Sequence, residues 1–157
     1  MTPAERETLL QRYCGGYGEV LAALDGITAA ELDAPAADGW TARQIVHHLA
    51  DSEMTSAIRL RRLIAEDNPE IAGYDEEEFA LRLFYDSRPI EPSLDALRAS
   101  RATTATIVER LSDAQWRRAG THSQSGPYSV ETWLEIYAAH GQDHAAQIRR
   151  ARAAARS

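Results

Sequence analysis

The chain has 157 residues, 44% hydrophobic and 26% charged, with a formal net charge of −7. That size and balance suit one folded domain spanning 1–157 and exclude a disordered chain. The acidic balance counts against nucleic acid as a partner, and no run of ~18 apolar residues offers a membrane span. All 17 basic residues are arginine, which removes Schiff-base and P-loop lysine chemistry. Cys14 is the only cysteine. It allows no internal disulfide and no thiolate metal cluster, and it fits a reducing cytoplasm. The polar start, Met1 to Glu7, is unlike a secretory signal.

Four long helical patterns follow in chain order. The first runs from Thr2 to Leu24, with Leu9, Tyr13, Tyr17, Val20 and Leu24 three or four residues apart. Gly15, Gly16 and Gly18 weaken it and permit either close packing or a kink. Cys14, in that stretch, reads as a small packing residue rather than a nucleophile. The second helix opens at Thr41, where Thr41-Ala42-Arg43-Gln44 is a capping box, and runs to about Glu66. Asn68-Pro69 stops it. A long acidic connection comes next, in which Asp75 to Glu78 cap a short helix reaching Phe84. Pro89 and Pro92 delimit the third long helix, Ser93 to Leu111. A loop from Asp113 to Tyr128 precedes Ser129, which caps a fourth helix to about Ala155. The arginines of its tail, Arg149, Arg150, Arg152 and Arg156, suit the negative end of a helix dipole. No stretch alternates with the period of a strand. The expectation is an all-α four-helix bundle with a long crossover connection.

The fourth helix carries His140-Gly141-Gln142-Asp143-His144. Spacing of i, i+4 puts both imidazoles on one helix face, here the face of Val130, Trp133, Leu134, Tyr137 and Ile148. Two inward histidines need partners, because buried polar groups are costly unsatisfied. A metal ion satisfies both together; carboxylates or backbone groups can also do so. On the second helix His48 lies at the edge of the stripe Ile45, Leu49, Leu60, Leu63. His47 is rotated towards solvent and reads as a surface or flanking residue. His48 is the better third ligand, and Asp51 and Gln147 are candidates to support the site from behind. Arg101 falls in the apolar stripe of the third helix. It either pairs with a carboxylate at the core edge or anchors a substrate carboxylate.

These residues resemble a known family. Gly39-Trp40-Thr41-Ala42-Arg43-Gln44-Ile45-Val46-His47-His48-Leu49-Ala50-Asp51-Ser52, then Glu66-Asp67-Asn68-Pro69 and Tyr74-Asp75-Glu76-Glu77, are similar to the YfiT branch of the DinB-like superfamily. Tyr137-Ala138-Ala139-His140-Gly141-Gln142-Asp143-His144 with Gln147-Ile148 is similar to that branch's last helix. The resemblance implies a four-helix bundle, often a homodimer, whose three histidines bind zinc or nickel. By motif position the ligands are His48, His140 and His144. The branch commonly has histidine where this chain has Glu53 and Asp143, neither of them a ligand position. His122 corresponds to a loop histidine often present there; it reads as an ordinary loop residue, with a place at the site mouth as the alternative.

Three histidines with open positions suit chemistry better than scaffolding, since structural zinc sites are usually closed by four protein ligands. The expectation is a metal-dependent enzyme acting on an uncharged or anionic small molecule. Water is the first nucleophile. A low-molecular-weight thiol is the second, as in thiol-dependent transferases or isomerases. Asp51, Glu53, Asp143 and Gln147 are the polar groups within reach, and none is fixed as a general base. A non-catalytic metal-binding protein is a further alternative. A nucleic-acid role, which the superfamily's DNA-damage-linked name suggests, lacks a basic groove.

Overall fold

The structure, a computed structural model, describes residues 1–36 and 39–156. Seven helices are present among them: α1 (Pro3–Leu24), α2 (Ala29–Asp33), α3 (Ala42–Ala65), α4 (Glu76–Arg82), α5 (Glu91–Val108), α6 (Asp113–Trp116) and α7 (Val130–Ala155). The long ones start where the sequence supplies an oxygen for the orphan N–H groups of a first turn. Thr2 with Glu5 and Thr41 with Gln44 form capping boxes. Ser129 accepts from Thr132 N. α5 has no side-chain cap; Pro92, in its first turn, presets the helical φ instead.

The four long helices close a ring in which α1 packs on α7, α7 on α3, α3 on α5 and α5 on α1. The expected four-helix bundle is thus the observed one. The glycines of α1 do not break it. Gly16 faces Gly141 of α7, and a methyl placed on Gly141 would sit 3.0 Å from the Gly16 Cα. Gly15 and Gly18 have open space instead. Cys14 is exposed, so the expected packing role is corrected.

The expectation of no strand is also corrected. Strands β1 (Glu70–Ile71), β2 (Ala119–His122) and β3 (Gly126–Ser129) form a small sheet in the order β1-β2-β3. β1 runs parallel to β2, with Ile71 opposite His122, and β2–β3 is an antiparallel hairpin closing His122 on Gly126. Segments of two to four residues are too short to show alternation. The inward positions of β2 are Gly120 and His122, so no apolar period exists to read. The sheet clips the two long connections together at one end of the bundle.

Two apolar layers fill the interior. One contains Tyr13, Leu60, Leu63, Val108, Trp133, Leu134 and Tyr137. The other contains Val20, Ile45, Leu49, Leu97, Ala145 and Ile148. On each helix the residues between these layers are polar or small: Gly16, Ser52, Glu53, Ser56, Arg101, Thr104, His140, Gly141 and His144. A polar belt thus crosses the middle of the bundle, and the candidate site is part of it.

Candidate metal centre

His48 comes from the second turn of α3, and His140 and His144 from the middle of α7. Their side chains converge, and one ring nitrogen from each lies within 4.8 Å of the other two. His48 Nε2 is 3.3 Å from His140 Nε2. His144 Nδ1 donates to Gln147 Oε1 at 2.7 Å, which leaves its ring lone pair on Nε2. Gln147 thus holds the His144 ring from the side away from that lone pair.

Burial, and then the neighbouring His144 ring, push His48 down to about 3. Burial and both neighbouring histidines push His140 well below the ordinary histidine range. Both rings are neutral at pH 7, the form that ligates metals. His140 then faces a conflict. Its Nδ1 is buried without a hydrogen-bond partner among the described residues. A proton on Nδ1 leaves that N–H unsatisfied while Nε2 faces the His48 Nε2 at 3.3 Å. A proton on Nε2 leaves the Nδ1 lone pair unsatisfied. Either tautomer carries the cost of an unmet buried polar atom, about 1–3 kcal/mol.

A recess of about 250 Å³ opens beside the histidines, lined by Trp40, His48, Glu76, Glu77, His144 and Gln147. The Trp40 ring meets His48 edge-on at 5.5 Å, and its indole N–H donates to Glu77 Oε1 at 3.0 Å. Trp40, Glu76 and Glu77 were absent from the residues expected near the site. Their sequence signals were a motif position and an acidic run, and the run reads locally as nothing more than a helix cap.

Several other expectations need correction. His47 is fully buried, not a surface residue. Its ring lies between Ser93 Oγ at 2.8 Å and the Arg88 carbonyl at 3.2 Å, and it packs on Tyr85. Helical periodicity turns it away from the core stripe, but the segment between α4 and α5 folds over that face of α3 and buries it. Asp51 accepts from the Tyr85 hydroxyl at 2.6 Å and lies 3.8 Å from Arg88, so it supports the wall behind His47 rather than a histidine of the cluster. Asp143 is exposed and lies 4.0 Å from Arg12, away from the recess lining. His122 is buried in β2, where its Nδ1 accepts from the Gln124 and Ser125 N–H groups. It holds the hairpin turn and does not line the recess.

Glu53 and Arg101 pair with each other in the belt, which realises the core-carboxylate reading of Arg101. Arg101 Nε donates to Glu53 Oε2 at 2.9 Å, Nη1 to the Tyr13 carbonyl at 2.5 Å and Nη2 to the Tyr137 carbonyl at 3.1 Å. The Tyr13 hydroxyl donates to Glu53 Oε1 at 2.5 Å. Burial raises the Glu53 carboxyl against the pull of the Arg101 guanidinium. Neither side chain is open to a substrate.

Comparison with known proteins places these features in a family. A protein from Oceanobacillus iheyensis is 43% identical over 110 residues, 70% of this chain and 63% of its own length. The chain thus spans less than two thirds of that relative. YfiT from Bacillus subtilis is 35% identical over 130 residues, 80% of this chain and 72% of its own. The names of both assign them provisionally to the metal-dependent hydrolases. The YfiT structure, described as a four-helix bundle of unusual topology, superposes with a TM-score of 0.90 over 96% of this chain and 87% of its own, at 29% identity. A mycothiol-dependent maleylpyruvate isomerase shares the fold, with a TM-score of 0.74 and 16% identity over 94% of this chain and 63% of its own. The DinB superfamily model matches residues 16–148, and this chain belongs to that superfamily.

Proposed function

We propose that His48, His140 and His144 hold one divalent metal ion, zinc first and nickel second, and that the site is a hydrolase centre for a small molecule. The observation that carries this is the unmet polar balance at His140, where two Nε2 atoms face each other at 3.3 Å. Zinc–nitrogen bonds of about 2.0–2.1 Å in a tetrahedron put nitrogens roughly 3.3–3.4 Å apart. The observed separation suits that edge. A bound ion would supply Lewis acidity, lowering the pKa of coordinated water to about 7 and polarising an electrophile. The chain's own residues do the rest. Gln147 fixes the His144 tautomer, burial keeps His48 and His140 neutral, and Trp40 walls one side of the recess. The provisional names of the relatives support the same reading.

Metal analysis of the purified protein and of His48→Ala, His140→Ala and His144→Ala tests it. One metal per chain in the parent, and loss in each variant, is the expected result. Full occupancy in both His140→Ala and His144→Ala overturns it. The metal-loaded protein should then hydrolyse members of an ester and amide panel with no thiol added.

A second reading is thiol-dependent transfer or isomerisation, favoured by the fold shared with a mycothiol-dependent isomerase. Turnover that appears only with a supplied thiol would select it. Turnover with neither, together with a metal closed to water, would select a non-catalytic metal protein. We further propose a cytoplasmic homodimer. Its support is the single cysteine and the exposed apolar side chains Met54, Ile58 and Ile136 on the long helices. Light scattering across dilution checks the dimer, and a monomer at high micromolar concentration overturns it.

A further inference from the structure

The recess beside the histidines has a sign of charge. Glu76 and Glu77, from the first turn of α4, line it opposite His48 and His144. Glu77 is held by the Trp40 indole N–H at 3.0 Å. For Glu76 the interactions are electrostatic: burial and the neighbouring Glu77 push its carboxyl up, while Arg59 pulls it down. The cations of the neighbouring segments lie outside the lining. Arg59 donates to the Ala72 carbonyl at 2.7 Å and the Tyr137 hydroxyl at 3.5 Å, and it lies over the Tyr74 ring, with its Nε buried and unpartnered among the described residues. It lines a separate recess with Thr55, Ile58 and Arg62. Arg82 pairs with Glu78. An anion entering the histidine recess meets two carboxylates, and no arginine lines it. A cation gains from both.

The size of the recess adds a second restriction. At about 250 Å³ it is below the usual range of roughly 300–1,000 Å³ for ligand pockets. It admits a small molecule or the end of a larger one. With a divalent ion at the histidines, two carboxylates at the lip balance that charge. The ligand matching both is a metal-seeking donor with an ammonium group a few bonds away.

We propose that the recess selects small ligands bearing an ammonium group beside the atom that reaches the histidine centre, and that Glu76 and Glu77 are the residues setting this preference. The proposal rests on the metal reading above and narrows its substrate class. It reverses the anionic half of the expectation drawn from the sequence.

Three thiols of similar size test it: cysteamine, 2-mercaptoethanol and thioglycolate, which are cationic, neutral and anionic. The protein is loaded with cobalt(II), and each dissociation constant is read from the thiolate charge-transfer band. Intrinsic thiol acidities differ, so the quantity compared is the thioglycolate-to-cysteamine ratio in the parent and in each variant. Glu76→Gln with Glu77→Gln should lower that ratio about tenfold and move 2-mercaptoethanol by less than about twofold. Asp75 caps α4 and is untouched, so the helix should persist. Glu78→Gln removes the same charge from the same helix, but its carboxylate is paired with Arg82 and does not line the recess. It should leave the ratio unchanged. An equal ratio in all proteins, or an equal drop in Glu78→Gln, overturns the proposal while the metal reading stands. A protein that takes up no cobalt overturns both.

Discussion

Glu53 and His48 lie little more than one turn apart on α3, in the same buried belt, yet their surroundings differ. Around Glu53 the partners are supplied by the bundle: Arg101 and the Tyr13 hydroxyl take the carboxylate oxygens, and two helix carbonyls each accept from one of the two remaining guanidinium nitrogens. Around His48 the neighbours are two more imidazoles, and His140 Nδ1 has no partner among the described residues. Both clusters bear the cost of burying polar groups. The first is satisfied from within and ties α1, α3, α5 and α7 together. The second leaves a buried nitrogen open among the described residues. Satisfaction of hydrogen bonds, more than residue type or burial, separates the structural cluster from the candidate site.

The largest expected effect breaks the satisfied cluster. Glu53→Ala leaves the Arg101 charge buried and unpaired, which should cost about 3–5 kcal/mol in chemical denaturation. Replacing both partners with apolar residues, Glu53→Leu with Arg101→Met, should recover much of that loss. If the single and double variants are equally unstable, the pair is not the isolated unit described here. The histidine cluster should respond to ligand instead. Zinc at a hundredfold excess over its dissociation constant should stabilise the protein by about 2.7 kcal/mol and leave His144→Ala unmoved. Equal stabilisation of both would place the metal elsewhere.

His47 sharpens the contrast because it neighbours His48 but belongs with the satisfied groups. Its two ring contacts join α3 to the Arg88–Ser93 segment. His47→Ala should cost about 2 kcal/mol of stability, from lost hydrogen bonds and a cavity, while metal content stays near the parent's. Metal loss as complete as in His48→Ala would remove the distinction.

The smallest effect concerns a polar cluster at the end of the bundle. The Thr28 backbone N–H, and then Arg156, hold the Glu31 carboxyl down to about 2, from an ordinary value of 4.5. A depressed carboxyl contributes stability that is present above its unfolded value and lost as pH falls through its folded one. Stability should therefore decline between about pH 4.5 and 2, and Glu31→Gln should flatten that limb, as thermal melts across the range would read. An unchanged limb would assign the acid sensitivity to other groups.

Much of the bundle was legible because helix signals are local. Caps at Thr2, Thr41 and Ser129, with apolar spacings of three and four, located α1, α3 and α7 nearly to the residue. The ends of α5, Glu91 and Val108, differ from the expected Ser93 and Leu111, since its start has no side-chain cap and Ser93 reads as the better boundary. The small sheet was missed because its strands pair residues about 50 positions apart, Ile71 with His122, and carry no apolar period of their own.

The site divides along the same line. Two histidines one turn apart on α7 share a face by helix geometry alone, so the sequence by itself determined that His140 and His144 meet. His48 followed from its place on the α3 stripe and from the family pattern. What only the tertiary structure decided is what the other polar residues do. His47 and Asp51 turn to the α4–α5 segment, Glu53 finds Arg101 48 residues away, and the acidic start of α4 arrives at the lip of the histidine recess. Those outcomes depend on which helix packs where. Side-chain periodicity fixes a residue's face, whereas its partner is set by the neighbour that covers that face.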